Sequence, residues 1–171
     1  KLYQKGSHPD VLVMSATLDA APVAAMLDAA PILTSEGRAF AVETRWLARS
    51  PAAGMRYEAA MAGLVLEAVE ASEGGVLVFL PGEGEIRRVE SLLEGRLPRD
   101  CVVRPLFGAM DFAAQRAAIE PARSGRKVVL ATSIAETSLT IQDVRVVVDG
   151  GRARRARFDP ASGMSRLVTE K

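Results

Sequence analysis

Very little in this chain suits thiol, imidazole or metal chemistry. Its 171 residues include one cysteine and one histidine. One thiol cannot close an internal disulfide, which fits a reducing cytoplasm. Cys101, inside the apolar run CVVRPLF, reads as a small buried hydrophobe in a strand. His8, in the polar segment KGSHPD, reads as solvent-facing, and no metal-ligand spacing or Ser-His-Asp arrangement can be assembled around it. No apolar run is long enough to span a membrane. The opening KLYQKGSHPD has no signal-peptide core and reads as the interior of a longer sequence. Charge of one sign is also lacking: 22 Lys and Arg face 21 Asp and Glu. Any nucleic-acid site must therefore be local rather than the work of a global field. Finally, no G-x-x-x-x-G-K-[ST] occurs, which argues against a complete P-loop NTPase.

What is present is an alternation of short apolar runs and helical patterns. Residues 11–15 (VLVMS), 31–35 (PILTS) and 41–47 (AVETRWL) read as strands, with a helix over 19–30. Residues 57–71 read as a helix with Met61, Leu64, Val65, Ala68 and Val69 on one stripe, stopped by Gly74 and Gly75. Residues 76–80 (VLVFL) are apolar throughout, as a strand covered on both faces should be. Strands follow at 101–107, 126–132 and 144–150, with helices at 86–93 and 111–119. Such alternation predicts an α/β fold with a mostly parallel sheet and flanking helices. The end differs. Residues 152–158 and 164–169, joined by DPASG, predict a C-terminal antiparallel hairpin.

Ligands of parallel α/β sheets sit beyond the carboxyl ends of the strands, so those ends hold the candidates. PGEGEI after 76–80 is not a dinucleotide loop. Arg87 stands where a third glycine is needed, and Glu83 and Glu85 would repel a pyrophosphate. Carboxylates in a first helical turn simply complement the macrodipole. Residues 132–140 (TSIAETSLT) carry five hydroxyls and Glu136. Hydroxyls and free N–H groups there hold phosphate oxygens, or equally cap a short helix. Ser15 and Thr17 are small donors at a strand end, where helix capping by Thr17 or Asp19 also accounts for them. In GRARRAR, strand geometry puts Arg152 and Arg154 on one face and Arg155 and Arg157 on the other. This is a two-sided basic ribbon for a nucleic-acid backbone, or an edge strand kept soluble by charge.

Five strings, in order, carry a resemblance. VMSATLD resembles helicase motif III, VLVFLPGEGEI motif IV and PLFGAMDFAAQ motif IVa. LATSIAETSLTIQDVRVVVDGG resembles motif V of the DEAH-box/RHA group of superfamily 2 helicases. RARFDPASGMSRLVTEK resembles the hairpin that follows it, and PGEGEI is particularly like the bacterial HrpB branch. The resemblance covers essentially the whole chain. It implies an ATP-dependent RNA helicase with two RecA-like lobes, ATP and Mg²⁺ in the cleft between them, and single-stranded nucleic acid, RNA above all, crossing both. Residues 1–35 would be the tail of the first lobe, 34–38 the linker, and 36–171 the second lobe. Walker A and the DEAH box would precede this chain, and the arginine-finger motif would follow it.

The resemblance assigns roles to individual residues. Ser15 and Thr17 would couple nucleotide state to lobe movement. Gly82, Glu83 and Gly108 would lie in loops near the RNA backbone, and Thr132 on a phosphate. Ser138 and Thr140 would face the nucleotide. Gln142 stands where many relatives carry an acidic residue for the ribose, and Ile119 where many carry an aromatic for adenine. Arg152, Arg154, Arg155 and Arg157 would belong to a wedge or brace on nucleic acid. Without Walker lysine and arginine finger, the chain alone is expected to be inactive as an ATPase, to hold no ATP or Mg²⁺ tightly, and to bind no resident metal. Two other readings compete: a complete small enzyme on a doubly wound fold, disfavoured by the missing phosphate loop, and a non-catalytic nucleic-acid-binding or interaction domain of RecA-like fold.

Overall fold

A computed structural model describes residues 11–14, 19–35, 40–47, 52, 54–122, 124–135 and 141–170. The chain forms two compact units, Lys1–Leu47 and Ala48–Lys171.

Among the described residues of the first unit only one helix is regular, α1 (Ala20–Met26), capped by the Asp19 carboxylate, which accepts from Ala21 N at 3.2 Å. It is shorter than the expected 19–30. Asp28 and Ala29 adopt φ of 54° and 58°, a left-handed turn that no helix continues. The strands expected at 11–15, 31–35 and 41–47 are corrected: their described residues are irregular chain. Apolar runs report a tendency to be covered, but a strand exists only with a partner to bond. No pairing engages these segments among the described residues, and Leu12, Leu33, Val42 and Trp46 are exposed.

The second unit is built on four parallel strands in the order β2-β3-β1-β4: β1 (Gly75–Phe79), β2 (Cys101–Leu106), β3 (Arg126–Ala131) and β4 (Val144–Asp149). The two central strands are the most apolar runs and are nearly fully buried. Strand β2 carries Pro105, which an edge position tolerates because no ladder donor is required on its open side. Alternation sends Val76, Val78, Val128 and Leu130 to one face, under α2 (Tyr57–Ala71) and α3 (Glu83–Leu93). Leu77, Val129 and Ala131 point to the other, under Ala118 of α4 (Phe112–Ile119) and the buried Ala135 and Ile141. Three layers result, and the expected mostly parallel sheet with helices is what the chain forms.

Local chemistry fixes the element ends. Asp111 caps α4 through Ala114 N at 2.9 Å. Arg126 closes the last turn of α2, donating to the carbonyls of Val69 and Ser72 at 3.0 and 2.6 Å, a cation at the negative helix end. Gly125 (φ +71°) enters β3 against the Asp100 carbonyl, with no room for a Cβ. Helix α3 starts three residues earlier than the expected 86, so Glu83 is its first residue rather than part of a loop. Glu83 and Glu85 lie in that first turn, where the dipole favours carboxylates.

The expected hairpin is present as β5 (Ala153–Asp159) and β6 (Met164–Glu170), antiparallel from Ala153↔Glu170 to Asp159↔Met164. It does not extend the parallel sheet; β5 and β6 form a sheet of their own.

Candidate functional site

Four connections leave the sheet at the carboxyl ends of its strands. After β1 come Pro81 and Gly82; after β2, Phe107 and Gly108; after β3, Thr132; after β4, Gly150 and the hairpin. The ladder ties them together. Thr132 N donates to the Leu106 carbonyl at 3.1 Å, and Leu80 N to the Ala131 carbonyl at 2.8 Å. Gly82, Glu83, Gly108 and Thr132, far apart in sequence, thus share one rim. Gly108 and Glu83 are exposed and Thr132 half-buried, while Gly82 is buried under the hairpin root. The segment leaving β3 makes a short 3-10 turn, Ser133–Ala135. Its continuation, with Glu136, Ser138 and Thr140, lies outside the described residues, as do Ser15, Thr17 and His8.

Where β4 runs into the hairpin, a cavity of about 360 Å³ opens, lined by Pro81, Ser133, Asp149, Arg152, Arg154 and Arg155 among others. The four arginines are not equivalent. Arg152 lies 4.3 Å over the ring of Tyr57, and Arg154 donates to Glu85 Oε1 at 3.0 Å. Arg155, which also lines the cavity, and Arg157 are exposed and make no contact with Tyr57 or Glu85; Arg157 pairs within the hairpin with Glu170 at 2.6 Å. At the rim Arg87 stacks 5.3 Å from the Phe107 ring centre.

Sequence reasoning treated Glu85 as a dipole-complementing carboxylate. The structure shows a buried one, 9% exposed, bonded by Arg88 at 3.1 Å as well as by Arg154. The signal was available: Glu85 sits four and eight residues before Val89 and Leu93, on the buried stripe of α3. Tyr57 was read only as a helix start. Burial pushes its hydroxyl up to about 12, against the pull of Arg152. Its folded value is raised above the ordinary 10, so its contribution to stability is complete below pH 10. That contribution is lost as pH climbs towards 12, because the unfolded tyrosine releases its proton first. Alkaline titration followed by tyrosinate absorbance should show Tyr57 ionising last, and Tyr57→Phe should flatten the fall of the urea midpoint over that window.

Two other candidates lie at the opposite edge. Ile119 ends α4, and Gln142 and Asp143 precede β4. Lys127, 2% exposed at the start of β3, binds both places. Its Nζ donates to the Ile119 carbonyl at 3.1 Å and also to that of Glu120, and stands 3.8 Å from Asp143 Oδ2. Asp143 Oδ2 accepts in turn from Ala122 N at 2.7 Å. Burial lowers the Lys127 ammonium below its ordinary value, while Asp143 draws it back up. The Asp143 carboxylate is thereby engaged within the fold, and Gln142 beside it is exposed. Strand carboxyl ends alone would not have led to this edge; Ile119 and Gln142 came from the resemblance, and Lys127 from neither.

Cys101 is half-buried at the start of β2, and burial raises its thiol, the opposite of what a nucleophile requires. Among the described residues no three His, Cys, Asp or Glu side chains cluster to hold a metal, and no helix is long and apolar enough to cross a membrane.

Comparison with known proteins is consistent with this geometry. The family described as helicase conserved C-terminal domain matches residues 59–164. The chain is 48% identical over 171 residues to the ATP-dependent RNA helicase HrpB of Escherichia coli (strain K12), covering 98% of this chain and 21% of that protein. It is 38% identical over 170 residues to the pre-mRNA-splicing factor ATP-dependent RNA helicase prp22 of Schizosaccharomyces pombe, covering 94% of this chain and 14% of that one. A crystal structure of the Escherichia coli DEAH/RHA helicase HrpB superposes with a TM-score of 0.80 at 48% identity, over 92% of this chain and 20% of that chain. The chain thus spans about a fifth or less of the length of these relatives.

Proposed function

The chain belongs to the helicase C-terminal domain family, in its DEAH/RHA branch, and on that premise we propose that it forms the second RecA-like lobe of an ATP-dependent RNA helicase motor. The first lobe of the same protein is its partner. Residues 1–35 would contribute the tail of that first lobe and 36–171 the second lobe, a boundary that falls inside the first compact unit. The observation that carries this reading is the convergence of Gly82, Gly108, Thr132 and the hairpin root on one rim of a parallel sheet.

On this reading the rim is the nucleic-acid side. Gly108, exposed there, lets a sugar-phosphate backbone approach closely, and the Thr132 hydroxyl can donate to a phosphate. Glu83, exposed beside them, would keep the path from gripping a polyanion too tightly. The opposite edge would be the nucleotide side. Ile119 offers an aliphatic face to a base, which discriminates less than an aromatic, and Gln142 offers an amide where many relatives carry a carboxylate. Ser138 and Thr140 would read the terminal phosphate and Ser15 and Thr17 would couple its state to the lobes. Neutral hydroxyls suit such a task, since a nucleotide shifts a conformational equilibrium only through differential contact with its two states. Mg²⁺ would accompany ATP, but the described residues supply no ligand set for it, and phosphoryl transfer needs charge stabilisation from elsewhere in the protein. Action on RNA in the cytoplasm is part of this proposal.

Phosphate release tests it. The 171 residues alone, without G-x-x-x-x-G-K-[ST], should not hydrolyse ATP. The full-length protein should do so, and faster with single-stranded RNA present. Turnover by the short chain would overturn the proposal. An inactive full-length protein that still binds RNA would instead make this a non-catalytic binding domain.

A further inference from the structure

The hairpin poses a mechanical problem. Among the described residues its strands pair only with each other, so no backbone ladder seen there fixes its direction relative to the parallel sheet. Side chains at its root must do so, and two contacts from two different helices are in place. Tyr57, at the start of α2, carries Arg152 on its ring face at 4.3 Å. Glu85, in the first turn of α3, accepts from Arg154 at 3.0 Å. Isolated surface ion pairs hold little, but Glu85 is no surface group. It is 9% exposed, on the buried stripe of α3, and its Oε1 accepts from Arg88 as well as from Arg154; Arg88 also donates to Glu58 at 2.7 Å. A carboxylate so fixed is a rigid anchor. The backbone is cut to fit: a Cβ on Gly82 would run into the Arg154 guanidinium, and one on Gly150 into the Tyr57 hydroxyl.

We propose that Tyr57 and Glu85 are positioning residues that latch the hairpin root through Arg152 and Arg154, and thereby set the angle at which Arg155 and Arg157 meet nucleic acid. Within β5, alternation sets Arg154 on the face opposite Arg155 and Arg157, while Arg152 precedes the strand and is placed by its contact with the Tyr57 ring. Arg152 and Arg154 hold through Tyr57 and Glu85, and Arg155 and Arg157 are left for nucleic acid. The inference rests on the helicase reading for the last step only; the latch itself concerns the fold.

Glu85→Gln separates this from plain electrostatics. The substitution is nearly isosteric and removes a negative charge beside the basic cavity, so charge alone predicts tighter nucleic-acid binding. A latch predicts weaker binding, about three- to tenfold, because a swinging hairpin loses preorganisation. The measurement uses the full-length protein with nitroxide labels on Ala161→Cys at the hairpin turn and Ser91→Cys on α3, other reactive cysteines having been replaced. Electron-spin distances and the affinity for a fluorescent oligouridylate are read together. Wild type and Tyr57→Phe, which keeps the ring under Arg152, should give one narrow distance distribution. Glu85→Gln and Tyr57→Leu should each broaden it, and the double variant more. Distributions that stay narrow in both would overturn the latch. Broad distributions with unchanged oligouridylate affinity would uphold the latch and remove the hairpin from the nucleic-acid path.

Discussion

Lys127→Met should lower the unfolding free energy by about 3 kcal/mol, read as a drop in urea midpoint at constant slope. Methionine fills much of the same volume, so packing alone predicts a small change. The loss comes from what Lys127 leaves behind. The carbonyls of Ile119 and Glu120 lose their donor, and Asp143 loses its cation while still bonded to Ala122 N. Breaking one side of a buried pair costs more than the pair is worth, because the survivor stays desolvated. Asp143 is partly solvated, which holds the figure near the lower end of the range. Asp143→Asn should cost less, as the amide oxygen can still accept from Ala122 N. Equal midpoints for Lys127→Met and wild type would show that the 119–122 turn needs no tether.

Arg155→Ala with Arg157→Ala should weaken binding of single-stranded RNA by the full-length protein about 30-fold near physiological salt. The slope of log affinity on log salt should become shallower by about 1.4. Each lost phosphate contact releases fewer counterions, about 0.7 per contact on a single strand. Both side chains are exposed and Arg157 gives up only an ion pair with Glu170 inside the hairpin, so folding should be little affected. An unchanged salt slope would mean that the outward face of the hairpin touches no phosphate.

Legibility from sequence followed burial. The central strands β1 and β3 were plain because covered parallel strands are apolar on both faces. The hairpin was plain because its turn chemistry is local. Residues 11–15, 31–35 and 41–47 misled because periodicity reports which side chains favour cover, whereas a strand depends on a neighbour that local sequence does not specify. Within the site, the polar bend that opens at Thr132 followed from a strand end, while Gly82 and Gly108 came from the resemblance. Lys127 followed from neither, since a lysine opening a strand reads as solvated, although alternation with Val129 and Ala131 sets it on a covered face. Glu85 was hidden by a sufficient explanation, the helix dipole, that left its place on the apolar stripe unused.

The strand order has a consequence for synthesis. Strand β1 pairs with β3 and β4, never with β2, which follows it directly. A nascent chain that has emerged only as far as β2 therefore owns no finished ladder, and β1 waits with unpaired edges and one face bare until residues about fifty positions later arrive. Closing such distant pairs is entropically slow. During that interval the run at 75–79 is the stretch a cellular chaperone has most reason to shield.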